Sequence, residues 1–193
     1  MYLTMSWNYL EFPAHFFGGW PWNRCKAKFA LGVRIPDGTV PNPLEINLDP
    51  VEPYVAEMGP AVPDVFTTSG LVLSERLYQT ILAFGVDNLD VYPAVMVDTE
   101  TKERFTGYYA VNVVGLIAAA DMKKSVATIQ PGGPVIDVAF DQLVIDDAKA
   151  RGALMFRLAE STMSVWLHPA LVKHIQAAGF PGIEFSKPSQ VFG

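Results

Sequence analysis

Nucleophilic catalysis needs a serine or cysteine within reach of a base. The chain offers one cysteine, Cys25, between Arg24 and Lys26. Those two cations would lower a thiol pKa. No local signature of a cysteine hydrolase surrounds it, such as a helix opening after a Gly-rich turn, so the residue reads as structural. The histidines are His15, His168 and His174. The last two are six apart and point to different faces of a helix, not to the shared face that an i, i+4 zinc pair needs. His168 reads as a helix-start residue and His174 as an exposed helix residue. Asp137, Asp141, Asp146 and Asp147 fall close together with no basic residue among them. Carboxylate groups can do acid–base work or hold a divalent cation. No D-x-D-x-D-G loop is present, and aspartates at turns and strand ends are ordinary solvated residues. Their functional reading is an acidic binding surface. Gly18-Gly19 and Gly132-Gly133 match neither phosphate-binding glycine pattern. The residues therefore predict no catalytic centre, no metal and no cofactor.

The elements that must position these groups are set by a chain of 193 residues, half of them hydrophobic. That is enough for one compact domain with a full core, and too apolar for a disordered chain. The net charge is −6, which gives no electrostatic reason to bind nucleic acid or an anionic membrane. A single cysteine excludes an internal disulfide. The start lacks a basic segment followed by an apolar one, and the run Val113–Ala120 is far short of the ~20 residues of a membrane span. A soluble cytoplasmic protein is expected.

The charge is uneven. Between Ile35 and Glu75 lie seven acids and no Lys or Arg, together with seven of the fifteen prolines. Proline fixes φ and removes a donor, so the segment is expected to be an irregular, acidic surface traverse. It is either plain solvated loop or an acidic docking face. The N-terminal stretch concentrates aromatics: Trp7, Tyr9, Phe12, Phe16, Phe17, Trp20 and Trp22. Their irregular spacing excludes a helical stripe. They form either a lid on the core or an exposed contact surface, and Trp20 and Trp22, if exposed, are the expected aromatic anchors.

Two helices are predicted. One runs from an N-cap at Ser74 to a stop before Gly85, with Leu77, Ile81 and Phe84 on one face. The other runs from His168, with Pro169 at its first position, to a stop before Gly179, with Leu171, Ile175 and Ala178 as its stripe. The two superpose without a gap: Leu73/Leu167, Leu77/Leu171, Ile81/Ile175, Gly85/Gly179. A strand follows each glycine, at 89–92 and at 183–186. The pattern predicts equivalent units on one sheet. Val91–Val97 and Arg104–Val114, joined by the polar turn 99–103, read as a hairpin. Further strands are expected at Leu3–Tyr9, Lys26–Val33, Val135–Phe140, Gln142–Ile145, Leu154–Leu158 and Ser164–Leu167, with a break at Pro131–Pro134. The fold class is α+β: one domain over 1–193, its sheet largely antiparallel, with two short helices at about 74–84 and 169–178 packed on it. An aromatic segment, 1–34, and the traverse, 35–75, precede the rest.

Several segments resemble the bacterial polymorphic-toxin immunity protein family of the myxobacterial type, formerly a conserved domain of unknown function. They are Phe156-Arg157-Leu158-Ala159-Glu160, Ser164-Val165-Trp166-Leu167, the helix to Gly179, and Pro181-Gly182-Ile183-Glu184-Phe185. Leu73–Leu77 with its helix, Val91-Tyr92-Pro93, Tyr109–Val114 and the turn Asp121–Ser125 are also similar to the family. The resemblance spans about Phe66 to Phe185. It implies a small, non-enzymatic cytoplasmic protein that binds and neutralises a cognate toxin by direct contact. Asp137, Asp141, Asp146, Asp147, Trp20 and Trp22 are the expected contact residues, and an acidic surface suits a basic toxin. Two other classes stay open: an enzyme with a site assembled from distant residues such as the 137–147 aspartates, and an inhibitor or chaperone of a protein encoded alongside.

Overall fold

The computed structural model describes residues 1–21, 23, 25–51, 53–57, 61–67, 70–128 and 138–191. In chain order its elements are β1 (Thr4–Trp7), β2 (Leu44–Leu48), α1 (Pro53–Ala56), β3 (Val65–Phe66), β4 (Leu71–Ser74), α2 (Glu75–Ala83), β5 (Leu89–Asp98), β6 (Arg104–Val113), β7 (Leu116–Ile117), β8 (Val126–Thr128), β9 (Ala139–Gln142), α3 (Asp147–Ala150), β10 (Met155–Leu158), β11 (Val165–Leu167), α4 (Pro169–Ala177), β12 (Ile183–Ser186) and α5 (Pro188–Val191). A five-stranded sheet has the order β2-β5-β6-β4-β3, a three-stranded sheet the order β11-β10-β7, and β1-β12 and β8-β9 form ribbons. Most pairings are antiparallel; β2–β5 and β10–β7 are parallel. The molecule is a mixed α+β fold, mostly sheet.

The β5–β6 hairpin forms where the two β-rich runs and the polar turn between them predict it. Its corner is built by Asp98, whose Oδ1 accepts from the backbone N–H groups of Glu100 at 2.8 Å and Thr101 at 2.7 Å. Behind it lies His15, with Nδ1 at 3.5 Å from Asp98 Oδ2 and its ring against Phe105. Burial opposes ionisation of Asp98, but the donors from Thr101 and Glu100, helped by His15, outweigh it and hold the carboxyl below its ordinary 3.8. A carboxylate with a lowered folded pKa contributes stability above its ordinary pKa and loses it as pH falls through the folded value. Asp98→Asn is therefore expected to cost roughly 1–3 kcal/mol at neutral pH. The deficit should shrink as the pH falls through and below the ordinary carboxylate range, which urea melts at a series of pH values will show.

Both helices end where the sequence predicts. Ser74 Oγ accepts from Leu77 N–H at 3.3 Å, and His168 Nδ1 accepts from Ala170 N–H at 3.2 Å, so each N-cap occupies an otherwise orphan donor. Gly85 and Gly179 follow the C-caps with φ of 99° and 76°, a left-handed conformation that residues with a Cβ rarely adopt. Arg76 joins the helices: its Nη2 donates to the carbonyls of Ala178 and Gly179, and its guanidinium lies over the Phe180 ring at 4.1 Å.

The two units are topological copies. β4 and β5 are both antiparallel to β6, so they run parallel on either side of it, joined by α2. β11 and β12 flank β1 in the same way, joined by α4. The register also repeats. Leu73 faces Tyr109 and Leu89 faces Val113 in the first unit; Leu167 faces Leu3 and Ile183 faces Trp7 in the second. The equivalent pairs Leu71/Val165, Leu73/Leu167, Leu77/Leu171, Ile81/Ile175, Val111/Met5 and Val113/Trp7 all enter one apolar cluster. The expectation of a single shared sheet is corrected. β5 lies in the five-stranded sheet and β12 pairs only with β1, because each unit supplies its own antiparallel strand between its parallel pair.

Other expectations are also revised. Lys26–Val33 is a run of turns and bends, broken by Gly32 at φ 66°, although Phe29 is buried. The proline-rich traverse is not all surface. Leu44, Ile46 and Leu48 are fully buried on β2, an edge strand framed by Pro43 and Pro50, and the proline-free 71–74 stretch supplies β4 inside the sheet. In the traverse the prolines flank β2 rather than fill it. β9 ends at Gln142, and Ile145 makes only an isolated bridge to Ala120. The break at Pro131–Pro134 and the start of the Val135–Phe140 strand lie outside the described residues.

Candidate binding surface

Cys25 is fully buried in the cluster that packs beneath β2. His15 supports the Asp98 corner, His168 caps α4 and His174 lies against Phe84 at 4.9 Å. Among the described residues no group of His, Cys, Asp and Glu is arranged to hold a metal ion.

The predicted acidic residues divide. Asp137 lies outside the described residues. Asp141 is exposed on β9, and Asp147 is exposed at the start of α3. Asp146 caps α3, accepting from Ala148 N–H at 3.0 Å and Lys149 N–H at 3.4 Å. Cations are interleaved with them in space though not in sequence. Lys124 pairs with Asp121 at 2.9 Å and also feels Asp146, while Lys149 Nζ donates to Ala120 O. Glu45 of the traverse pairs with Arg104 at 2.6 Å.

The aromatic segment is chiefly a lid. Trp7 joins the core shared by the two helical units, and Trp20, 6% exposed, packs on Phe29 with ring centres 4.7 Å apart. Trp20 is therefore corrected from a possible exposed anchor to a core residue, because Phe17, Phe29 and Gly70 enclose its indole. Trp22 lies outside the described residues. Phe16, 51% exposed and stacked on Tyr9, is the surface aromatic of this segment that spacing did not single out.

A groove of about 420 Å³ opens between β1 and the start of β11. Thr4, Ser6, Ser164, Ser186 and Arg157 are among the residues that line it, with Met163 exposed and Arg157 buried. Arg157 is 1% exposed. Its Nη1 donates to Thr162 O at 2.7 Å and Met163 O at 3.1 Å, and its Nη2 to Phe29 O at 3.0 Å. Nε has no partner. Burial brings its pKa down to about 10, still far above neutrality, so the guanidinium is charged.

The structure is that of a mixed α+β protein with a groove beside β1 and exposed aspartates on β9 and α3. The chain belongs to the Imm11 immunity protein family, whose model matches residues 23–190. An immunity function, with a toxin as partner in general terms, follows from that membership. The match takes in the traverse as well as the helical units, but not β1, the central strand of the second unit. No match was found among curated proteins. Among the described residues no helix is long and apolar enough to cross a membrane.

Proposed function

We propose that this protein protects its cell by binding a cognate toxin in the cytoplasm through direct protein–protein contact, without chemistry of its own and without a cofactor. Membership of the immunity family across residues 23–190 carries the reading. The structural duties of Cys25 and the three histidines support its non-enzymatic part. An interface of ordinary size, burying about 1,600 Å² in total, would occlude the toxin's site or hold it inactive. Co-expression with the toxin encoded beside it, scored by survival and by pull-down, is the direct test. A toxin that kills despite a folded immunity protein, or that never co-purifies with it, overturns the reading.

The acidic face is proposed to govern the encounter. The contributors are Asp141, Asp146 and Asp147, with Asp137 and the acids of the 35–75 traverse. Exposed charges mainly set association rate and its salt dependence, whereas buried anchors set dissociation. Asp→Asn replacements suit the test because asparagine also serves as an N-cap, so Asp146→Asn keeps α3 capped. Neutralising the four aspartates together is expected to slow association with a basic toxin roughly tenfold at low ionic strength and to flatten its salt dependence. Stopped-flow traces across a salt series read this directly. An on-rate indifferent to both salt and the replacements would reduce the acidic character to solubility.

A further inference from the structure

β1 and β12 pair in a register that sets Thr4 opposite Ser186 and Ser6 opposite Glu184. Directly opposed residues share a face, and so do residues two apart on one strand. These four side chains therefore stand on one face of the ribbon. Met5 and Trp7 turn the other way, into the core of the two helical units. Tyr2 has the same parity as Thr4 and Ser6 but is buried in a separate apolar cluster with Phe140, Phe156 and Trp166. That cover does not extend along β1: Thr4, Ser6 and Ser186 are half-buried and Glu184 is exposed. Side chains this small leave the face low, and the groove of about 420 Å³ is lined by all three, together with Ser164 and the exposed Met163.

Ser6 Oγ donates to Glu184 Oε1 at 3.1 Å, which holds the carboxylate beside a residue that lines the groove. Among the described residues no Lys, Arg or His pairs with Glu184, Lys187 included. Arg157 also lines the groove but belongs to the opposite face. It stands opposite Val165, whose neighbour Ser164 points the other way, and its guanidinium is taken up by the carbonyls of Phe29, Thr162 and Met163. β1 and β12 contain no Lys or Arg. The face thus carries one negative charge without a counter-ion, among hydroxyl oxygens that can accept hydrogen bonds. A carboxylate beside a concave surface attracts a cation more strongly than one in open water, because less solvent screens it.

We infer that this face is a socket for one basic side chain, Lys or Arg, of the protein partner. The charged head pairs with Glu184 and donates to the hydroxyl oxygens of Ser6, Thr4 and Ser186, and the aliphatic stem packs on Met163. The inference rests on the reading of the protein as a toxin-binding immunity protein and adds a fixed anchor to it. Exposed aspartates attract a basic partner from a distance, whereas Glu184 holds one of its cations after contact. A charge pair that loses water on docking acts on dissociation, where exposed charges act on association.

Three variants test it. Glu184→Gln keeps the shape and removes the charge, and Glu184→Lys reverses the charge. Glu103→Gln removes the same charge from an exposed position beside the β5–β6 turn. With the cognate toxin, Glu184→Gln is expected to weaken Kd about tenfold or more, chiefly through faster dissociation, and Glu184→Lys about a hundredfold or more. Both should keep parental melting temperatures, since Glu184 is exposed, and Glu184→Gln alone carries the test should the reversed charge disturb the fold. Glu103→Gln should stay within about twofold of the parent. Peroxide oxidation of Met163, followed by mass spectrometry, should slow in the complex. The socket is overturned, and the immunity reading stands, if the parent binds toxin while folded Glu184→Gln dissociates at the parental rate. Equal weakening by Glu103→Gln, or equally fast oxidation of Met163 in the complex, overturns it in the same way. If the parent binds no toxin, the immunity reading fails first and the socket falls with it.

Discussion

Arg157→Ala is expected to cost roughly 3–5 kcal/mol, a large part of the stability of a domain this size. The side chain is tied to three backbone carbonyls in two separate segments: Phe29 in the N-terminal aromatic region, and Thr162 and Met163 in the turn before β11. Truncation leaves those carbonyls without their donor, and each buried orphan costs about 1–3 kcal/mol. It also frees the aromatic segment from the C-terminal sheet. Arg157→Lys should recover part of the loss, because an ammonium keeps the charge but cannot present the planar fork that reaches both segments. Equilibrium urea unfolding of the three proteins decides the matter. An alanine variant within 1 kcal/mol of the parent would mean that the carbonyls find other partners and that Arg157 is not a structural tie (about 1 kcal/mol being the scale of a single hydrogen bond).

The second large effect concerns the duplicated core. Leu77 and Leu171 are both fully buried, at equivalent places on α2 and α4, and both enter the same apolar cluster. Leu77→Ala and Leu171→Ala are each expected to cost about 2–5 kcal/mol, the lost burial plus the cavity left behind. α2 and α4 are packed against one another, so the double replacement should depart from the sum of the singles by about 0.5 kcal/mol or more. Thermal and chemical melts of the set measure this. A loss below about 1 kcal/mol at either site would break the equivalence of the units in energy, even though their topology repeats.

The glycine-rich ending shows how a sequence signal gains its physical cause only in three dimensions. Gly179 is legible as a helix stop from its place after the apolar stripe. Gly182 is not: its backbone is approached so closely by the Trp7 indole that a Cβ there would collide with the ring. Trp7 lies at the other end of the chain, and no local rule connects the two positions.

What the sequence determined by itself is what depends on near neighbours. Ser74, His168, Gly85 and Gly179 bound the helices because capping acts over one turn. The Val91–Val97 and Arg104–Val114 runs declare a hairpin because two runs of β-forming residues around a polar turn suffice. The ungapped spacing of Leu77 and Leu171 marks a repeat. The family resemblance over Phe66–Phe185 was visible in the same punctuation, and the family match extends it to residues 23–190. What the tertiary structure alone decided depends on which distant strands meet. It placed β1 between β12, with which it pairs, and β11, which it meets at the Leu3–Leu167 bridge. It buried Trp20 and strand 44–48 because prolines and glycines at their flanks allowed the chain to turn inward. It set Lys124 beside Asp121 and Asp146, so that acids unbalanced along the chain are partly balanced in space. Pairing between residues more than a hundred positions apart carries no periodic signature in a single sequence, because either strand would read the same beside any other partner of matching alternation.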